Sequence, residues 1–176
     1  IPMTVAPSTI GNITTVTALQ QSAIGQLDVK LTPLQNAMIT AAVANGGQLM
    51  APYLIKEIQG PELDTVDTTE PDRIGSAVPA GVAATLTDLM IGSENRTQGG
   101  GKISGVQIAS KTGTAELGSK DTPPHAWYVA FAPADKPVVA IAVLVENGGD
   151  RGLEATGGSV AAPIGRAVIA EALKAG

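Results

Sequence analysis

The chain has 176 residues, 44% hydrophobic and 15% charged, which is one globular domain's worth of material or a large piece of one and excludes intrinsic disorder. A net charge of −5 without any Lys/Arg cluster excludes a nucleic-acid surface, and the lack of cysteine excludes disulfides and cysteine-ligated metals. Only 2% of residues are aromatic, so the core has to be built from Ala, Val, Ile and Leu in close helix–sheet contact.

In chain order, residues 1–31 are rich in Thr, Pro, Gly and Gln and read as loop with one short helical turn. The start, Ile1-Pro2-Met3, has neither the charged nor the apolar region of a signal peptide, and no apolar run reaches the roughly 20 residues that span a bilayer. A helix starts at Thr32, a good N-cap, with Pro33 at its first position and Gln35 completing a capping box. Leu34, Met38, Ala41 and Ala42 recur at helical spacing until Asn45-Gly46-Gly47, and the helix is expected to be buried. Residues 52–58 read as an edge strand and 60–74, rich in Pro, Asp and Thr, as a surface loop. A second helix is predicted from Pro79 to Ile91, with Val82, Leu86, Leu89 and Met90 on one face. Strands follow at 105–116, 125–132 and 138–146, the last two joined by the five-residue turn Pro133–Pro137. The third is apolar throughout and should be covered on both faces. After a Gly-rich loop, a last helix at 158–174 is expected to face the sheet through Val160, Ile164, Val168 and Leu173. Helices followed by sequential strands describe an α+β fold, an antiparallel sheet flanked by helices, and not alternating βαβ units.

The stretch that carries chemistry is Ser110-Lys111-Thr112-Gly113-Thr114-Ala115-Glu116. A lysine and two threonine hydroxyls on a strand suit a carboxylate, and Gly113 lets another backbone approach closely. Lys-Thr-Gly resembles the third motif of the penicillin-binding protein and serine β-lactamase superfamily. Three further stretches support the likeness: Gly25-Gln26 with Leu31-Thr32-Pro33-Leu34-Gln35, then Ala126 to Pro133, then Gly157-Gly158-Ser159 to Pro163. The wording is most similar to class B transpeptidases of the actinobacterial penicillin-binding protein A group, from about residue 24 to the end.

The departure from the pattern is equally informative. None of Ser8, Ser22, Ser76, Ser93, Ser104, Ser110, Ser119 and Ser159 has a lysine three residues on, so the family's Ser-x-x-Lys nucleophile motif is absent. The lone Ser-x-Asn, Ser93-Glu94-Asn95, lies too close to Lys111 to match the family's second motif and is read as coincidence. The whole chain, 1–176, is therefore expected to be the C-terminal portion of a transpeptidase domain, with the half bearing the nucleophile separate or missing. Alone it is expected to be inactive, to bind no β-lactam covalently, and to associate through bare apolar surface.

By resemblance, the parent is a peptidoglycan D,D-transpeptidase, active on stem peptides ending in D-Ala-D-Ala, inhibited by β-lactams, and anchored on the extracytoplasmic face of the membrane. The resemblance makes Lys111 catalytic, assigns Lys111, Thr112, Gly113 and Thr114 to substrate or penicillin binding, and makes the Thr114 N–H an oxyanion-hole donor. It implies no cofactor and no metal. A D,D-carboxypeptidase, a β-lactamase-like hydrolase and a non-catalytic sensor on the same scaffold remain open. His125, the one histidine, is read as packing or hydrogen-bonding at the site's rim. Trp127 and Phe131 are read as core, with Tyr128 pointing the other way. Gly99-Gly100-Gly101-Lys102 departs from a phosphate loop at Arg96 and Ile103 and is not assigned to nucleotide. Glu146 and Asp150, beside glycines, are read as loop.

Overall fold

The computed structural model describes residues 5–175, so the Ile1-Pro2-Met3 start lies outside them. The elements are α1 (Val16–Ala23), α2 (Pro33–Ala44), β1 (Gln48–Met50), β2 (Glu57–Gln59), β3 (Thr65–Thr68), β4 (Arg73–Ser76), α3 (Ala80–Arg96), β5 (Ala109–Ala115), β6 (His125–Ala132), β7 (Val139–Val145) and α4 (Ala162–Ala175). The principal sheet is antiparallel in the order β5-β6-β7; β1 pairs with β4 and β2 with β3, also antiparallel. This is the expected α+β architecture.

Side-chain alternation divides the main sheet into two faces. On one, Ile108, Ala126, Tyr128, Ala130 and Ala132 pack under α4. On the other, Ala109, Phe131 and Ala134 meet Val43 and Ala44 of α2 and Met90 and Ile91 of α3. Both cores are dominated by alanine, as the shortage of aromatics requires.

Several expectations need correction. The segment before residue 32 holds a two-turn helix, α1, N-capped by Thr15, rather than a single turn. Thr32 does cap α2 by accepting from the Gln35 N–H, but the Thr32 N–H donates to Ser8 Oγ, so Ser8 supplies the half of the capping box assigned to Gln35. Helix α2 is only partly buried, through Thr40 and Ala42, because Leu34, Met38 and Ala41 line an open groove beside β7. Within 52–58 only Glu57 and Ile58 are strand, in β2, which runs on to Gln59, while β3 and the first half of β4 lie in the presumed loop. Helix α3 runs on to Arg96, and β5 begins at Ala109. Val82 and Leu89 are exposed; α3 is buried through Ala83 and Glu94.

Helix α4 shows the largest difference. A π-turn, Gly157–Ala161, opens the segment. Its buried face is Ala162, Gly165, Arg166 and Ile169, leaving Ile164 and Val168 exposed. Two residues turn the helix this way. A Cβ on Gly165 would stand 2.4 Å from the Tyr128 ring, so glycine lets the helix close over that ring. Arg166 is drawn inward by a buried carboxylate.

Candidate active site

Strand β5 pairs with β6 along one side in the register Lys111↔Val129, Thr112↔Tyr128, Gly113↔Trp127 and Thr114↔Ala126. Among the described residues no strand pairs with its other side. Lys111 Nζ donates to the Thr112 carbonyl at 2.6 Å and Gln26 Nε2 to the Thr114 carbonyl at 3.5 Å, so both carbonyls face that free edge. In an antiparallel strand the N–H of a residue points the same way as its C=O. The N–H groups of Thr112 and Thr114 therefore also look outward, unused by the sheet.

Two clefts meet at this edge. One, of about 820 Å³, runs between α3, the Thr97–Gln98 segment, Lys111, Thr112, Thr114 and the Thr156–Gly158 turn. The other, of about 260 Å³, lies under the 24–31 segment and is lined by Lys111 to Ala115 and Trp127. Lys111 and Thr114 are exposed; Thr112 and Gly113 are half-buried. The four residues singled out from sequence are thus brought to one accessible edge: Lys111, Thr112 and Thr114 line both clefts, and Gly113 lines the smaller one.

Glycine has a sharper role here than the sequence indicated. It is Gly157 that closes on the strand: a Cβ there would stand 2.2 Å from the Trp127 carbonyl and 2.8 Å from the Gly113 carbonyl. The Thr156 and Ser159 side chains cap each other's backbone and hold that turn.

Behind β5 is a buried polar cluster that the sequence did not mark. Glu94, on the last turns of α3, accepts from Arg166 Nε at 2.7 Å through one oxygen. Its other oxygen accepts from Ser110 Oγ at 2.5 Å and Tyr128 Oη at 3.0 Å. Arg166 also donates through Nη1 to the carbonyls of Gln98, Gly99 and Gly100, and through Nη2 to that of Thr97. Its guanidinium lies 6.0 Å from the Tyr128 ring centroid. Arg166, Tyr128 and Ser110 have no exposed surface, so the pairing of Glu94 with Arg166 is what makes burial of either charge tolerable. Burial first, and the Glu94 carboxylate second, push the Tyr128 phenol well above its ordinary range and keep it a donor.

The remaining candidates fall as follows. His125 Nδ1 accepts from the Asn147 N–H at 3.1 Å and tethers the Glu146–Glu154 segment, which is 3-10 helical turns broken at its glycines and not plain loop. Phe131 is core, but Trp127 is half-buried on the cleft, and the fully buried aromatic beside it is Tyr128. Ser93 lines the larger cleft, whereas Asn95 is exposed, about 200° further around α3. The carbonyls around Gly99–Gly100 converge on Arg166.

The family described as the penicillin binding protein transpeptidase domain matches residues 5–170. The chain belongs to the penicillin-binding protein transpeptidase family. It is 61% identical to the peptidoglycan D,D-transpeptidase PbpA of Mycolicibacterium smegmatis, over 100% of this chain and 36% of that protein. It is 58% identical to PbpA of Mycobacterium tuberculosis, over 98% and 35%. Among solved structures, the ceftriaxone acyl-enzyme complex of penicillin-binding protein A from M. tuberculosis superposes with a TM-score of 0.92 at 59% identity, covering 98% of this chain and 39% of that one. The chain spans about a third of the length of the curated transpeptidases it matches. Among the described residues no helix is long and apolar enough to cross a membrane.

Proposed function

We propose that this chain is the C-terminal portion of a serine D,D-transpeptidase domain and supplies one wall of its acyl-transfer cleft. The observation that carries the reading is the free edge of β5, where Lys111, Thr112 and Thr114 converge on two clefts in a chain of this family. The names of the curated relatives support this reading over the hydrolase and sensor alternatives.

In the whole protein a serine from the preceding part of the domain attacks the penultimate carbonyl of a stem peptide ending in D-Ala-D-Ala. The peptide bond breaks, the terminal D-Ala leaves with the serine's proton, and the acyl group remains as an ester. An amine from a second stem peptide then attacks the ester, forms the new amide and returns a proton to the serine. Lys111 supplies positive potential and takes part in these proton transfers. The Thr112 and Thr114 hydroxyls hold the terminal carboxylate of substrate or penicillin, and the close approach at Gly113 keeps the strand flat against its neighbours. The outward Thr114 N–H donates to the oxyanion, a contact worth about 3 kcal/mol. The rest of the free edge pairs with the extended peptide as an added strand. The site works on the extracytoplasmic face of the membrane, where peptidoglycan lies.

Fluorescent penicillin followed by a denaturing gel tests this. The whole parent protein is expected to be labelled, Lys111→Ala in it to lose at least about 100-fold in labelling rate, and the 176-residue chain alone to stay unlabelled. A labelled band from the chain alone, or an undiminished rate in Lys111→Ala, overturns the assignment.

A further inference from the structure

The Glu94 cluster sits where it can govern the cleft without touching a ligand. Along β5 side chains alternate, so Ser110 points to the face opposite Lys111, one residue away. Tyr128 is the cross-strand partner of Thr112. One carboxylate oxygen thus grips two adjacent strands from behind, at positions that bracket the Lys111–Thr112 peptide.

The other half of the cluster reaches the opposite wall. Arg166 holds the carbonyls of residues 97–100, and Thr97 and Gln98 line the larger cleft. Gly99 packs so closely on the Gly158 carbonyl that a Cβ would stand 2.2 Å away, and Gly157 in turn abuts Gly113. Strand, loop and turn, three parts of one rim, are therefore referenced to a single ion pair. The arrangement exceeds what filling a core needs, since apolar residues of like volume stabilise as well or better than a buried ion pair.

We propose that Glu94, Ser110 and Tyr128 are positioning residues for acyl transfer: they fix the height of Lys111 to Thr114 against the Thr97–Gly100 wall. This rests on the transpeptidase reading above. Displacement of a catalytic group by about 1 Å costs on the order of 100-fold in rate, so loss of one donor to Glu94 should slow acylation by about tenfold while leaving encounter with penicillin intact.

The experiment uses the whole parent protein and time-resolved acylation by penicillin, which separates the dissociation constant of the non-covalent complex from the acylation rate constant. Ser110→Ala and Tyr128→Phe each delete one donor and keep the Glu94–Arg166 pair. Each is expected to lower the rate constant about tenfold with the dissociation constant unchanged, and Ser110→Thr to restore most of the loss. Ile169→Val, a truncation in the same core without a polar contact, is expected to lower the melting temperature and leave the rate constant alone. If Ser110→Ala does not fold, Tyr128→Phe and Ser110→Thr still decide the matter. Unchanged rate constants in the folded variants, or an equal fall in Ile169→Val, overturn this inference alone. A wild-type protein that is never acylated overturns the transpeptidase reading, and this inference with it.

Discussion

Arg166 illustrates how a single side chain can be invisible in sequence and decisive in structure. Hydropathy periodicity in the last helix favoured Ile164 and Val168 as the inward face, because an arginine is ordinarily assigned to solvent. The buried Glu94 reverses that assignment, and no spacing rule links residues 72 positions apart. Lys111, Thr112 and Thr114 were legible because a short motif with ordered flanks is local information. We predict that Glu94→Ala and Arg166→Ala each destabilise the fold by about 3–5 kcal/mol, since each leaves the opposite charge buried and unpaired. Urea denaturation of the whole protein measures this; a loss below about 1 kcal/mol is the surface-bridge value and contradicts the account. Gly157→Ala is expected to damage labelling by penicillin through a different cause. Its added methyl meets backbone oxygens of Trp127 and Gly113, which cannot rotate away.

Elements differ in legibility for reasons of burial. Strand β6 was located at both ends, because apolar residues and the turn after it mark a segment packed on two faces. Strands β2 and β3 were missed or misplaced: every residue in them is exposed, so selection for a hydrophobic alternation is missing. An isolated two-stranded ribbon is only marginally stable. Hydrogen exchange should therefore show weak protection of the β2 and β3 amides and strong protection of β6, which has a partner strand on each side. Equal protection in the two sheets contradicts this ranking. Of the predicted face of α2 only Ala42 is fully buried, for a related reason. Leu34, Met38 and Ala41 have the right spacing for a core, but the surface they face is an open groove of about 480 Å³ against Val138–Ala140.

At the scale of the molecule, that groove continues onto β7, whose outer edge carries no strand among the described residues. The strand is apolar from Val139 to Val145 and half-buried along its whole length, so the expectation of full cover on both faces is not met. A long, apolar, unpaired edge favours pairing with another chain. The isolated 176 residues should accordingly self-associate, and light scattering that shows a monodisperse monomer at high concentration contradicts this. The antiparallel α+β plan itself was legible, because helix and strand order alone separates it from βαβ architectures. Arg166 finally sets an order of assembly. The carbonyls it gathers leave the ribosome 66 to 69 residues before it does. At about 5–20 residues per second this is a delay on the order of 3 to 14 s. Until α4 is made and docks, the carbonyls from Thr97 to Gly100 lack the guanidinium that gathers them, and only Thr97 is held, through its N–H and hydroxyl, to the end of α3; nascent chains therefore complete this wall of the cleft only after α4 arrives.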